Sequence, residues 1–140
     1  MQSARDFALQ KFAKDLIASV DNLEHALTSV PTERLSAPPP LPQDAETPDI
    51  LQTIHKDLVS LYKGLQLTES VLMETLKRHG LTRFDPSEAG EKFNPNLHEA
   101  VFQAPVPGKE EGTVFQTQQK GFMLNGRVIR APKVGVVKNQ

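Results

Sequence analysis

The side chains best suited to acid–base or metal chemistry are four histidines, His25, His55, His79 and His98, and they are scattered along the chain. No two stand at the spacing by which a helix or hairpin presents a pair of ligands to one metal ion. His98-Glu99 lacks the second histidine that would complete a zinc-peptidase helix. Cysteine is absent, which removes disulfides, thiolate ligands and cysteine nucleophiles. Gly108, Gly112 and Gly121 lie too far apart for a dinucleotide-binding turn, and there is no Gly-x-Ser-x-Gly elbow. The acidic residues are spread over helical faces, where solvation is their ordinary role. The expectation is a protein that is not an enzyme and needs neither metal nor cofactor.

Charge is the stronger signal. Residues 112–140 carry Lys120, Arg127, Arg130, Lys133 and Lys138 with no Asp or Glu, a local charge of +5. The whole chain is at −1, so residues 1–111 carry −6. Such a basic segment meets solvent, an acidic protein surface or nucleic acid. Phe115 and Phe122 are aromatic groups of the kind that stack on bases. Five cations without an RNA-recognition signature make nucleic acid the weaker alternative.

The elements that carry these residues fall into five stretches. Residues 1–30 read as a helix, because Leu9, Leu16, Leu23 and Val30 recur every seven residues and Ala13, Val20 and Leu27 form a second line. Phe12 and Ile17 widen the seam. The pattern fits one amphipathic helix on a bundle, or a helix that pairs with a second copy. Residues 31–48 hold six of the eleven prolines, including Pro38-Pro39-Pro40 and Pro42, and read as a solvated linker or a polyproline ligand. A second helix follows over 49–80, with Thr47 as cap and Pro48 in its first turn. Its apolar line runs Leu51, Ile54, Leu58, Leu61, Leu65, Thr68 and Leu72, and Arg78-His79-Gly80 closes it. Two such helices suggest an antiparallel hairpin whose wide faces form a four-helix bundle between two subunits.

Residues 81–89 read as a connector and 90–140 as a small all-β module. Strand candidates are 101–104, 113–119 and the valines at 134–137. Asn125-Gly126 between apolar runs is the strongest hairpin signal. The fold class is therefore α+β. With 38% hydrophobic residues and no Trp, the chain builds a modest core that a second copy would help to complete. No apolar run approaches the roughly 18 residues of a membrane span, so membrane insertion is not expected. The first residues, Met1 to Asp6, run directly into helical periodicity with no apolar leader. That start reads as the inside of a longer natural helix.

The β module resembles the C-terminal domain of the GrpE family. Phe93-Asn94-Pro95-Asn96-Leu97-His98-Glu99-Ala100-Val101 matches the first half of its signature. Gly121-Phe122, Gly126, Ile129-Arg130 and Val134-Gly135-Val136 match the second half, at the right distance. Upstream, the stretches 7–12, 21–27 and 64–68 are similar to the family's dimer and bundle helices. The segment from Asn125 to Val137 looks closest to the mitochondrial branch, with a bacterial cytoplasmic protein as the alternative location to the mitochondrial matrix. Three features depart from the family pattern: the insert at 31–48, the missing first half of the long paired helix, and Pro132.

The resemblance implies a homodimer built on long helices and a four-helix bundle, with a β wing on each subunit. It implies a co-chaperone that binds the ATPase domain of a DnaK-type heat-shock chaperone and promotes ADP release, in support of protein folding and import. By position, Phe93, Pro95, Gln118, Arg127 and Val136 would face that partner, with Lys120 a weaker candidate and Phe93 alternatively part of the core. Leu9, Leu16, Leu23, Leu27, Leu58, Leu65 and Leu72 would line the dimer interface. Gly64 matches a bundle glycine, for which close helix packing is an equal explanation.

Overall fold

The computed structural model describes residues 2–36 and 48–139. Helix α1 spans Gln2–Thr28, α2 Thr32–Ser36 and α3 Pro48–Arg78. Six strands follow: β1 Leu81–Phe84, β2 Glu99–Ala104, β3 Val114–Gln119, β4 Gly121–Leu124, β5 Arg127–Arg130 and β6 Lys133–Val137. The α+β class holds. The short helix α2 occupies part of the stretch expected to be linker, and β1 occupies part of the expected connector. The Thr47 cap and the prolines at 38–40 and 42 lie outside the described residues.

The chain divides into two compact units, Leu16–Glu74 and Met1–Asp15 together with Thr75–Gln140. Within the helical unit, Ile17, Val20 and Leu27 of α1 are buried. Successive members lie three and seven residues apart, which keeps them on one helical face. On α3 the half-buried residues Leu51, His55, Leu58, Tyr62, Leu65, Glu69 and Leu72 follow the same three-four spacing. Beside that stripe Ile50, Ile54, Leu61 and Val71 stay exposed. In this chain's structure α3 thus carries one face that is covered and a neighbouring apolar one that is open.

Helix α3 stops for a local reason. Gly80 takes φ +88, where a β-carbon is strained, and its N–H donates to the Lys77 carbonyl at 3.0 Å. The Gly80 carbonyl then accepts from the Asn125 N–H at 2.9 Å, and a β-carbon at Gly80 would collide with Oδ1 of Asn125. Helix end and β-hairpin are therefore interlocked. We expect Gly80→Ala to destabilise the β-containing unit by about 1–3 kcal/mol, read as a lower midpoint in urea. An unchanged midpoint would show that the interlock is not needed.

The β module consists of two three-stranded sheets, ordered β1-β4-β5 and β2-β6-β3. The β4–β5 connection is the Asn125-Gly126 turn, with φ of 52 and 82. Two successive left-handed residues define the turn type whose twist suits a two-residue hairpin. Pro132 is buried where the chain leaves one sheet and enters the other. Lacking an N–H, it cannot extend a ladder from β5 into β6, but its carbonyl accepts from Glu99 N–H at 2.9 Å. The departure at Pro132 thus coincides with a change of sheet. Strand β6 pairs in parallel with β2 and antiparallel with β3. Val114, Val134 and Val136 form the core of that second sheet, and the half-buried ring of Phe93 packs against them.

Candidate partner-binding surface

Three segments of the β module carry the residues expected to face a partner. In the first, residues 91–98, the chain is tied down at its start. Phe93 N–H donates to the Gly112 carbonyl at 2.8 Å, and Val114 N–H donates to the Glu91 carbonyl at 2.8 Å. Directly after these ties Asn94 organises a tight turn. Its carbonyl accepts from the N–H groups of Leu97 at 3.0 Å and His98 at 2.8 Å. Its side-chain Oδ1 accepts from Asn96 N–H at 2.9 Å. The Asn94 N–H in turn donates to Nδ1 of His98 at 3.1 Å. Proline at the second turn position fixes φ, and asparagine at the first bonds its own backbone two residues on. The turn leaves Pro95 exposed at its tip and anchors Phe93 behind it.

The second segment runs from β3 into β4. Gln118 is exposed, whereas Lys120 is half-buried between the strands. The Lys120 carbonyl accepts from Nη2 of Arg130 at 2.6 Å, and the Arg130 guanidinium lies over the Phe122 ring at 5.1 Å. Burial pushes the Asp85 carboxyl up, but the Thr117 and Ser87 side chains, the Ser87 N–H and the nearby Lys120 charge together hold it below its ordinary value. Lys120 is therefore tied into a local charge network.

The third segment is the hairpin turn. Arg127 follows Gly126 directly and is exposed. Asp6, Leu9 and Gln10 of α1 and Leu124, Asn125 and Ile129 of the hairpin line an open cleft with it. Phe93 and Pro95 accompany the second sheet, Arg127 the first. Pro95, Gln118 and Arg127 are thus displayed to solvent, and Phe93 is shared between surface and core.

Val136 needs a correction. Its side chain is 5% exposed and belongs to the valine core, so it supports a docking face from beneath and does not form one. The expected dimer residues also separate. Leu9 is 47% exposed, while Leu16, Leu23, Leu58, Leu65 and Leu72 are half-buried. Leu27 is buried inside its own chain. Ile50, Ile54, Leu61, Leu67 and Val71 are exposed apolar residues that the earlier set did not include. For Ile50, Ile54, Leu61 and Val71 an offset of one position from the covered stripe is the signal that marks them. A β-carbon at Gly64 would meet nothing within 4 Å, so packing inside the chain does not require this glycine. Among the described residues no group of three or more His, Asp or Glu is placed to hold a metal ion, and no described helix is long and apolar enough to cross a membrane.

The GrpE family model matches residues 1–138. This chain belongs to the GrpE family. It is 55% identical to the mitochondrial GrpE protein homologue of Neurospora crassa, over 100% of this chain and 53% of that protein. It is 53% identical to the Schizosaccharomyces pombe homologue, over 99% of this chain and 55% of that protein. The Saccharomyces cerevisiae homologue is 47% identical, over 100% of this chain and 53% of that protein. The chain thus spans about half the length of the curated relatives it matches. The residues that resemble the GrpE signature in the sequence fall on the Asn94 turn, the hairpin turn and strand β6.

Proposed function

We propose that this chain is a nucleotide exchange factor that acts in the mitochondrial matrix as a homodimer. It binds the ATPase domain of a DnaK-type chaperone and promotes ADP release. The observation that carries the reading is the family match over residues 1–138, with relatives named mitochondrial. The mechanism makes and breaks no covalent bond. The β module prefers the open, nucleotide-poor form of the ATPase domain and shifts the population toward it. By linkage, ADP weakens the factor's own binding by the same ratio. Pro95, Gln118 and Arg127 supply the exposed contacts, Phe93 stiffens the surface behind Pro95, and Lys120 adds charge at its edge. Support for folding and import follows from resetting the chaperone cycle.

The open apolar faces carry the homodimer. Leu9, Phe12, Leu16 and Leu23 run along one line of α1, with Leu9 and Phe12 exposed. Ile50, Ile54, Leu61 and Val71 form the open line on α3. A second copy that buries both lines completes a four-helix bundle. Leu58, Leu65 and Leu72 flank that seam.

The direct test is stopped-flow release of a fluorescent ADP analogue from a DnaK-type ATPase domain. Substoichiometric addition of the protein accelerates release, and an unchanged rate would sink the proposal. Arg127→Ala lowers the affinity roughly tenfold, as expected for an exposed cation lost from the rim of a contact, and leaves the circular dichroism spectrum intact. Calorimetry that returns an unaltered affinity would remove Arg127 from the surface.

A further inference from the structure

His98 is the most buried polar residue in the β module, at 6% exposure. Its place is unusual because the ring acts as an acceptor. Nδ1 receives the Asn94 N–H at 3.1 Å. A nitrogen that accepts carries no proton, so the ring is neutral with its hydrogen on Nε2. That Nε2 points toward the Glu91 carboxylate at 3.9 Å, and the Phe93 ring lies tilted against the imidazole at 6.0 Å between centroids. A single side chain thus touches the start, the middle and the buried anchor of the Asn94 turn.

Resting on the proposed chaperone contact, we propose that His98 is the positioning residue of that surface. Its neutral imidazole holds Phe93 and Pro95 in place, and acidification releases the turn and weakens the grip on the ATPase domain. Protonation puts a hydrogen on Nδ1, which then faces the Asn94 N–H, so two donors oppose each other where a hydrogen bond had been. The Asn94 amide must turn away, and Phe93 before it and Pro95 after it turn with it.

The surrounding charges do not cancel this. Glu91 is the charged group that acts on the ring and favours its protonated form. Lys92 is paired with Glu110 at 3.4 Å, both exposed. Glu99 and Lys133 face one another in the β2–β6 register and are exposed. Burial opposes the charged ring more strongly than Glu91 favours it, so the imidazole is held below its ordinary value of 6.5. The native turn binds fewer protons than the loosened one. Its stability is complete above the ordinary histidine value and falls as the pH drops from there through the lowered native value.

The test uses the full chain and a nucleotide-free DnaK-type ATPase domain. Affinity of the wild type is measured from about pH 8 down to about pH 5.5, the range in which histidine changes charge. Beside it stand His98→Asn, whose Oδ1 replaces the Nδ1 acceptor without titrating, and His98→Ala, which has no acceptor. The wild type is expected to lose affinity roughly tenfold more than His98→Asn over that range, and His98→Ala to bind more weakly than His98→Asn at every pH. In the free wild type, the NMR shifts of the His98 ring and the Asn94 amide should titrate together. Wild type and His98→Asn profiles of equal slope, or an Asn94 amide that ignores the His98 titration, would overturn the inference. Failure of the wild type to bind at any pH would instead overturn the proposed function.

Discussion

Replacing Phe122 by alanine is expected to remove about 3–5 kcal/mol of stability from the β module. The ring is 0% exposed, so its truncation opens a cavity in the first sheet that no water can fill favourably. It is also the platform for Arg130, whose guanidinium lies 5.1 Å from the ring centroid and holds the Lys120 carbonyl. Removing the ring thus loosens the strand junction as well as the core. A domain has about 5–15 kcal/mol in all, so this loss is a large share of it. The protein carries its own control. Tyr62 is the one tyrosine, there is no tryptophan, and it lies in the helical unit. Urea unfolding followed by Tyr62 fluorescence reports on the helices, while the methyl NMR signals of Val114, Val134 and Val136 report on the β module. A β-module midpoint shifted by less than about 1 kcal/mol would contradict the packing described here.

Gly135→Val is the second large effect, expected to cost about 3 kcal/mol or more. Gly135 is buried in the middle strand of the second sheet, in register with Phe102 on one side and Gln116 on the other. A β-carbon there would collide with Cζ of Phe102. The Phe102 ring cannot withdraw freely, because it meets Phe115 edge-on at 5.5 Å. Since β6 is bonded on both sides, a shift of its backbone breaks two ladders at once. The double variant Gly135→Val with Phe102→Ala should recover part of the loss, and its absence in a double-mutant cycle would show that another contact sets the cost.

The parts legible in the sequence were those whose causes are local. Asn125-Gly126 announces its turn because few residues other than Asn and Gly accept positive φ twice in succession, and both do so here. The end of α3 at Arg78 likewise follows from Gly80. Residues 81–84 were missed as a strand because Leu81-Thr82-Arg83-Phe84 is too short to show a period. Its partner, residues 121–124, lies about forty residues further along the chain. Helical period placed Leu9, Leu16 and Leu23 on one face, but which of two adjacent lines is covered within the chain depends on packing. The covered line proved to run through Ile17 and Val20. Val136 was expected on the docking face from the family resemblance alone, and its middle strand, buried on both faces, holds no pattern that would have placed it inside. The alternation that separates inside from outside is lost in Val134-Gly135-Val136-Val137. The signature located the Asn94 turn, but the contact of Asn94 N–H with Nδ1 of His98 depends on the folded turn and has no signal in the sequence.

Strand β6 lies between β2 and β3 although it follows both in the chain. On a ribosome, β2 and β3 therefore emerge with no shared hydrogen bonds and wait for a wedge that is translated after them. The first sheet gains all of its strands once β5 has appeared, so the two halves of the module must mature at different moments of synthesis. Until the wedge arrives, two unpaired strand edges stand open to any passing chain.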